Sequence, residues 1–477
     1  MKRMLQNRKV SSIRVKSLLV AVAGLSATGM LLSACGSTSP SAASGAKSPI
    51  RMLVSSYMFD TKQFTTQYDK QIKKEWDAAH PNNPLNVIVI GGSDVNEATA
   101  LALDFKNAST TPDVIVTETP YLSQYAAAGY MKALNSHLTG ASTPSFWTAM
   151  PKSIQQLTTF GGKVYGIAPG VNDQGILYNK TIFKKAGIPL PWVPKNWADI
   201  LSAAKKIKQT QPGVTPLWLG AGVAAGPFNF AQGIANLIDG TPTPTIFDSK
   251  TGKWVVDSPG IQAAFSFYSK VFSEGLGASV SDLFTSSAIG TPPLQMRQGK
   301  LGITIGANWM PEVWAAPSSG SSYWPTYQQD AGVTGLPTEF GQAPYVVSEM
   351  SGWAYGVTKA SPNSSLAWDL VKMNMEAQNE LDVSLWSGFV PADPSVANSS
   401  ANLKFSPGFN VGFNKYVNGA VSLPNNQNLT VYSRAMNTAT GDIAQNPKTT
   451  VSAAVAAVTS LMQQQLGSGT TEVIKGK

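Results

Sequence analysis

Gly161-Gly-Lys-Val-Tyr-Gly-Ile-Ala-Pro-Gly-Val-Asn-Asp-Gln-Gly-Ile-Leu-Tyr-Asn-Lys-Thr-Ile-Phe-Lys-Lys-Ala-Gly187 is the stretch on which the fold turns. Three consecutive polar planar side chains, Asn172, Asp173 and Gln174, separate its Val-Tyr-Gly-Ile segment from the strand that carries Tyr178-Asn179-Lys180. Outward on both sides, short apolar runs alternate with helical patterns, the signature of an α/β chain. Ile50–Ser55, Leu85–Ile90, Val114–Thr117, Leu301–Ile305 and Trp353–Val357 read as strands. Tyr68, Ile72 and Trp76 fall four residues apart and predict a helix over Phe64–Ala79. Trp197–Gln209, Ser365–Met375 and Val451–Leu466 predict further helices, and no internal repeat interrupts the series.

The whole chain has 477 residues, 43% of them apolar and only 13% charged, against roughly 25% charged in ordinary soluble proteins. Its length allows two or three domains with ample core, and its apolar content excludes a disordered chain. One cysteine and two histidines, His80 and His137, exclude an intramolecular disulfide and a Cys/His zinc site, so neither metal nor cofactor is expected. The net charge of +9 is misleading, because Lys2, Arg3, Arg8, Lys9, Arg14 and Lys16 precede residue 34 with no acid before Asp60. Without those six the body carries +9 less six, or +3, and nucleic acid is excluded as a partner. The sparse charge also suggests work in acidic surroundings.

The basic stretch is followed by the apolar run Leu18–Leu32, 15 residues long and too short for a comfortable membrane span. Leu32-Ser33-Ala34-Cys35-Gly36 then resembles a bacterial lipobox, which makes residues 1–34 a lipoprotein signal peptide and Cys35 the site of lipidation. Acyl chains contribute about 0.8 kcal/mol per buried methylene, so two or more tether a protein durably to a membrane. Small polar residues fill 35–48, as a flexible linker should.

In the body, Asp113 to Met131, Gly161 to Gly170, Gly175 to Lys180, Phe183 to Gly187, Asn196 to Ile200, Gln298 to Trp309 and Gly352 to Pro362 together resemble the extracellular sugar-binding proteins of ABC importers, the maltose-binding-protein-like family. The resemblance implies an α/β, two-lobed periplasmic-binding-protein fold with a central cleft and hinge. It places residues 49–165 and 331–375 in lobe one and 166–325 and 376–477 in lobe two. It also implies no enzymatic activity, a monomer, a carbohydrate ligand and permease subunits as partners.

A sugar presents apolar C–H faces and a ring of hydroxyls, so its site needs aromatic platforms and planar amides or carboxylates. Asn308 and Trp309 leave a strand end and resemble the family's stacking position, although Trp309 also reads as a core residue. Asn172, Asp173 and Gln174 fall at the implied hinge crossing, with a plain turn as the alternative. Asn172 stands where many relatives have a carboxylate, and Gln174 where some have a basic group. Glu118 and Tyr121 follow one strand, Tyr57 and Asp60 another. Phe228 and Asn229 come from lobe two, Trp353 follows a glycine, and Tyr432 lies where relatives place a second stacking aromatic. Trp76, Trp197 and Trp368 are expected in the core.

Two other classes compete with sugar capture. The same fold could take a peptide or a polyamine, but the proposed lining has few acids and no arginine. A lipid-anchored glycoside hydrolase would need a catalytic carboxyl pair, and no G-x-S-x-G, G-x-G-x-x-G, G-x-x-x-x-G-K or H-E-x-x-H motif occurs.

Overall fold

In the computed structural model, the described residues are 48–55, 62–90, 105, 110–285, 287–417 and 419–476. The signal segment, Cys35, Tyr57 and Asp60 lie outside them. The strand β1 (Ile50–Ser55) shows how the body is layered: Ile50, Met52 and Val54 enter one apolar cluster, and Leu53 enters another. A strand buried on both faces needs helices on both. Phe64, Tyr68, Ile72 and Trp76, from the helical run beginning at Lys62, join the cluster on the first face. Tyr121, Leu122 and Tyr125, from helix Thr119–Ala127, join the cluster on the second.

β1 pairs in parallel with β2 (Leu85–Ile90) on one side and β3 (Val114–Glu118) on the other. The sheet continues through two long strands, β4 (Gly170–Asn179) and β8 (Glu349–Val357), to β5 (Thr215–Trp218), β6 (Leu301–Ala307) and β7 (Ala331–Thr334). β4 and β8 divide their length between two half-sheets. Residues 353–357 of β8 pair antiparallel with β3, whereas Met350–Gly352 pair with Val171–Asp173 of β4. Beyond that point β4 leaves its partner, and residues 174–178 pair with β6 while 176–179 pair with β7. The half-sheets therefore share only a short crossing. Its backbones approach closely enough to favour glycine: a Cβ on Gly352 would stand 3.0 Å from the carbonyl oxygen of Gly170, a tight contact.

The expected α/β architecture is present, and it is the two-lobed one. The strand expected at Trp353 begins four residues earlier, at Glu349, because crossing pairs extend it through residues whose polarity hides a strand. In the second half, helix Trp197–Thr210 opens on the Asn196 side chain, which accepts from the Asp199 N–H, and buries Ile200, Ala203, Ala204 and Ile207. Helices Leu429–Gln445 and Val451–Leu466 pack against each other and against Pro259–Ser273. Tyr432 is corrected here. It is wholly buried in this core, stacked on Trp254 at 4.6 Å and donating its hydroxyl to the Val255 carbonyl at 2.8 Å, so it has no face left for a ligand. Among the described residues, no helix is long and apolar enough to cross a membrane.

Candidate functional site

The crossing of β4 and β8 carries the polar triplet, and strand geometry sorts its members. Side chains alternate faces along a strand. Asn172 and Gln174 line a recess with Glu118, Phe228, Ser351 and Trp353, while Asp173 does not border it and is 0% exposed. The expectation that all three meet a ligand is corrected for Asp173, which is turned to the opposite face by the period of two. There burial holds its carboxyl well above the usual range, and so it does for nearby Glu349, whose shift is reinforced by the charges of Asp239 and Asp173.

From this recess the space widens to a cavity of about 660 Å³. Asn172, Phe228 and Trp353 border both, and the wider part adds Trp309, Glu312, Trp386 and Phe389. The loop 318–322 forms part of its rim. A second cavity, also about 660 Å³, meets the recess at Pro227 and is bordered by Tyr121, Gln124, Arg434 and Asn437. The site is thus a chain of spaces running past the crossing strands.

Among the described residues lining this space, six buried polar atoms have no hydrogen-bond partner: Asn172 Oδ1, Gln174 Oε1, Trp309 Nε1, Glu312 Oε1, Ser319 Oγ and Asn437 Oδ1. Leaving a buried donor or acceptor unmet costs about 1 to 3 kcal/mol, so such atoms mark a surface built to be covered by a polar partner. Among the described residues, the wide cavity is bordered by one ionisable side chain, Glu312, and by no lysine or arginine. Burial pushes that carboxyl up to about 8. The surface is therefore close to neutral and suits an uncharged ligand with hydroxyls above apolar faces.

Other expected residues serve as supports. Asn308 Nδ2 donates to the Val171 carbonyl at 2.9 Å and ties the start of helix Trp309–Ala315 to the crossing strand. Asn229 Nδ2 donates to the carbonyls of Ala221 and Gly222, at 2.9 and 2.8 Å, and braces the loop before it. Tyr121 packs toward Tyr125, with ring centroids 6.4 Å apart, while bordering the second cavity. Trp353 is nearly buried, opposite Glu118 in the β3–β8 register, and still borders the space. Among the described residues, no group of His, Cys, Asp and Glu is arranged to hold a metal ion.

Sequence reasoning missed Glu312, Trp386, Phe389, Ser351 and also Gln232, which borders the recess. Glu312 had a signal, because three residues after Trp309 on a helix is the same face. Trp386 and Phe389 had none; packing brings them in. The intervening Gly388 has φ +78°, and a Cβ there would stand 2.7 Å from Trp309 Cα, so only glycine lets this loop close on the Trp309 helix.

Residues 61–378 match the family model described as bacterial extracellular solute-binding protein. A binding protein of Brucella abortus is 23% identical over 357 residues, covering 73% of this chain and 77% of that protein. Among solved structures, the maltose-bound T. maritima MalE3 superposes with a TM-score of 0.72 at 17% identity, covering 88% of this chain and 100% of that one. An ABC transporter solute-binding protein of Agrobacterium radiobacter in complex with ribitol gives 0.72 at 16% identity, with 89% and 99% covered.

Proposed function

Since the chain belongs to the bacterial extracellular solute-binding proteins, we propose that it captures a neutral sugar or oligosaccharide by lobe closure and delivers it to an ABC importer. The observation that carries this reading is the near-neutral, tryptophan-lined space in which Asn172, Gln174, Trp309 and Glu312 hold unpartnered polar atoms. The wide cavity of about 660 Å³ has room for more than one sugar ring. That the solved structures described above hold maltose and ribitol agrees with a polyhydroxylated ligand.

In this reading lobe one comprises residues 49–165 and 331–375, and lobe two residues 166–325 and 376–477. The lobes turn about the β4–β8 crossing. A ligand bridging Trp309 and Phe228 on one side and Glu118 and Trp353 on the other stabilises the closed form, since only that form makes both sets of contacts. The closed surface then engages permease subunits. No bond is made or broken, and the protein acts as a monomer. Export and lipidation at Cys35 would hold it at the outer face of the cell membrane; Cys35→Ser should release it into the medium.

Calorimetry with maltose, maltotriose, lactose, ribitol, putrescine and a tripeptide tests the reading. Heat from one or more saccharides or the polyol, with none from the last two, is expected. Binding of putrescine or the peptide alone overturns it. Release of reducing ends from an oligosaccharide would replace capture with hydrolysis.

A further inference from the structure

The helix Trp309–Ala315 brings Glu312 to the wall of the cavity that Trp309 also borders. Glu312 is 4% exposed, its Oε1 has no partner, and its carboxyl takes part in no hydrogen bond or ion pair among the described residues. The elements packed against this helix carry five ionisable side chains: Arg297, Tyr327, Asp330, Glu380 and Asp382. Each is engaged elsewhere. Arg297 donates to the Tyr323 carbonyl, Tyr327 meets the Ser406 hydroxyl, and Asp330 accepts from Thr326. Glu380 accepts from the Asp393 N–H, and Asp382 from the Gln378 amide.

With no cation among the described residues to pair with it, burial raises the Glu312 carboxyl to about 8. Below that pH the group is an acid with one O–H donor and one carbonyl acceptor, whereas a carboxylate only accepts. The distinction matters here. Asn172 and Gln174 hold unpartnered acceptor oxygens and Trp309 Nε1 is one unpartnered donor; hydroxyl oxygens of a sugar call for more donors.

The geometry points to Glu312 as a ligand-binding residue that works as a neutral acid, donating its carboxyl proton to an oxygen of the captured saccharide while its carbonyl oxygen accepts from a hydroxyl. The assignment rests on the saccharide reading above. It also gives a reason for selectivity against ammonium ligands: a neutral acid supplies no counter-charge, and among the described residues no second carboxyl borders the wide cavity.

The experiment is calorimetry from pH 5 to 9.5 with the tightest saccharide of the maltose, maltotriose and lactose series, on the wild-type chain, Glu312→Gln and Glu312→Ala. Wild-type affinity should be level from pH 5 to 7 and fall roughly tenfold by pH 9, as a neutral binding form titrating near 8 requires. Glu312→Gln keeps a donor and an acceptor in the same shape, so it should bind within about threefold of wild type at pH 6 and lose the alkaline fall. Glu312→Ala should bind about tenfold more weakly at pH 6. An alkaline fall that survives in Glu312→Gln, an affinity that rises with pH, or wild-type binding by Glu312→Ala overturns the assignment while leaving the saccharide reading intact. Failure of every saccharide to bind the wild type removes both. Thermal melts accompany each variant, and should Glu312→Ala not fold, the wild-type and Glu312→Gln profiles decide the matter.

Discussion

Two aromatic clusters of this protein use the same residue types in opposite ways. In the second half's core, Trp254 and Tyr432 stack at 4.6 Å, Phe230 meets Tyr432 edge-on, and the tyrosine hydroxyl donates to the Val255 carbonyl. In the cleft, Trp309 keeps its Nε1 unpartnered beside the equally unpartnered Asn172 Oδ1 and Glu312 Oε1. A tightly packed, hydrogen-bonded cluster contributes to folding. One that retains unmet polar atoms gives up some of that contribution and holds them for another molecule. Aromatic content alone therefore does not locate the site; the state of the polar atoms does.

The sharpest way to break the comparison is to truncate both clusters. Trp254→Ala should cost about 3 to 5 kcal/mol of stability in urea unfolding, as large-to-small changes in cores do, with affinity of the folded fraction unchanged. A stable Trp254→Ala protein that no longer binds would reverse the two roles.

A change of pH tests the buried carboxyls on both sides of the crossing. Burial pushes Glu312 up to about 8 and Glu380 to about 7, and raises Asp173 and Glu349 well above their usual range. Unfolded, these groups titrate near 4. The folded state therefore holds protons that the unfolded state releases, and the stability they give is full below about pH 4 and lost as pH rises toward 8. Glu312 alone should lower stability by about 3 to 4 kcal/mol between pH 5 and 8, and the other three act in the same direction. Scanning calorimetry should find the higher melting temperature at pH 5, which would favour the acidic surroundings suggested by the low charge density. A higher melting temperature at pH 8 would contradict both.

Trp309→Ala should weaken saccharide binding by about 2 kcal/mol, roughly 30-fold, as loss of a central aromatic anchor does, while changing stability by less than about 1 kcal/mol. The reverse pattern would move Trp309 into the core class. The mildest pair removes one polar atom from each cluster. Tyr432→Phe should cost about 1 kcal/mol of stability by leaving the Val255 carbonyl unmet. Asn172→Ala should cost a similar amount of affinity, about fivefold, with no loss of stability.

Much of this was legible in the chain. The strands at Ile50 and Leu85 and the helix at Val451 have the expected bounds, because each carries its own apolar period. The cleft was legible where a polar side chain follows a strand or interrupts one, as at Asn172, Glu118 and Trp309. Asp173 was misread because adjacent residues on a strand cannot share a face. Tyr432 was misread because a tyrosine on a helix looks the same whether its hydroxyl meets solvent, a ligand or a core carbonyl.

By itself, then, the sequence determined the α/β layering, the polar triplet at the crossing and the placement of the positive excess at the amino terminus. Those features rest on local period and composition, which neighbouring residues carry among themselves. Only the tertiary structure decided that Trp386 and Phe389 border the cavity, that Gly388 admits the Trp309 helix, and that Glu312 is buried with no cation beside it among the described residues. These depend on segments separated in sequence and brought together by burial, and the energy of a buried carboxyl is set by what surrounds it, not by its neighbours along the chain.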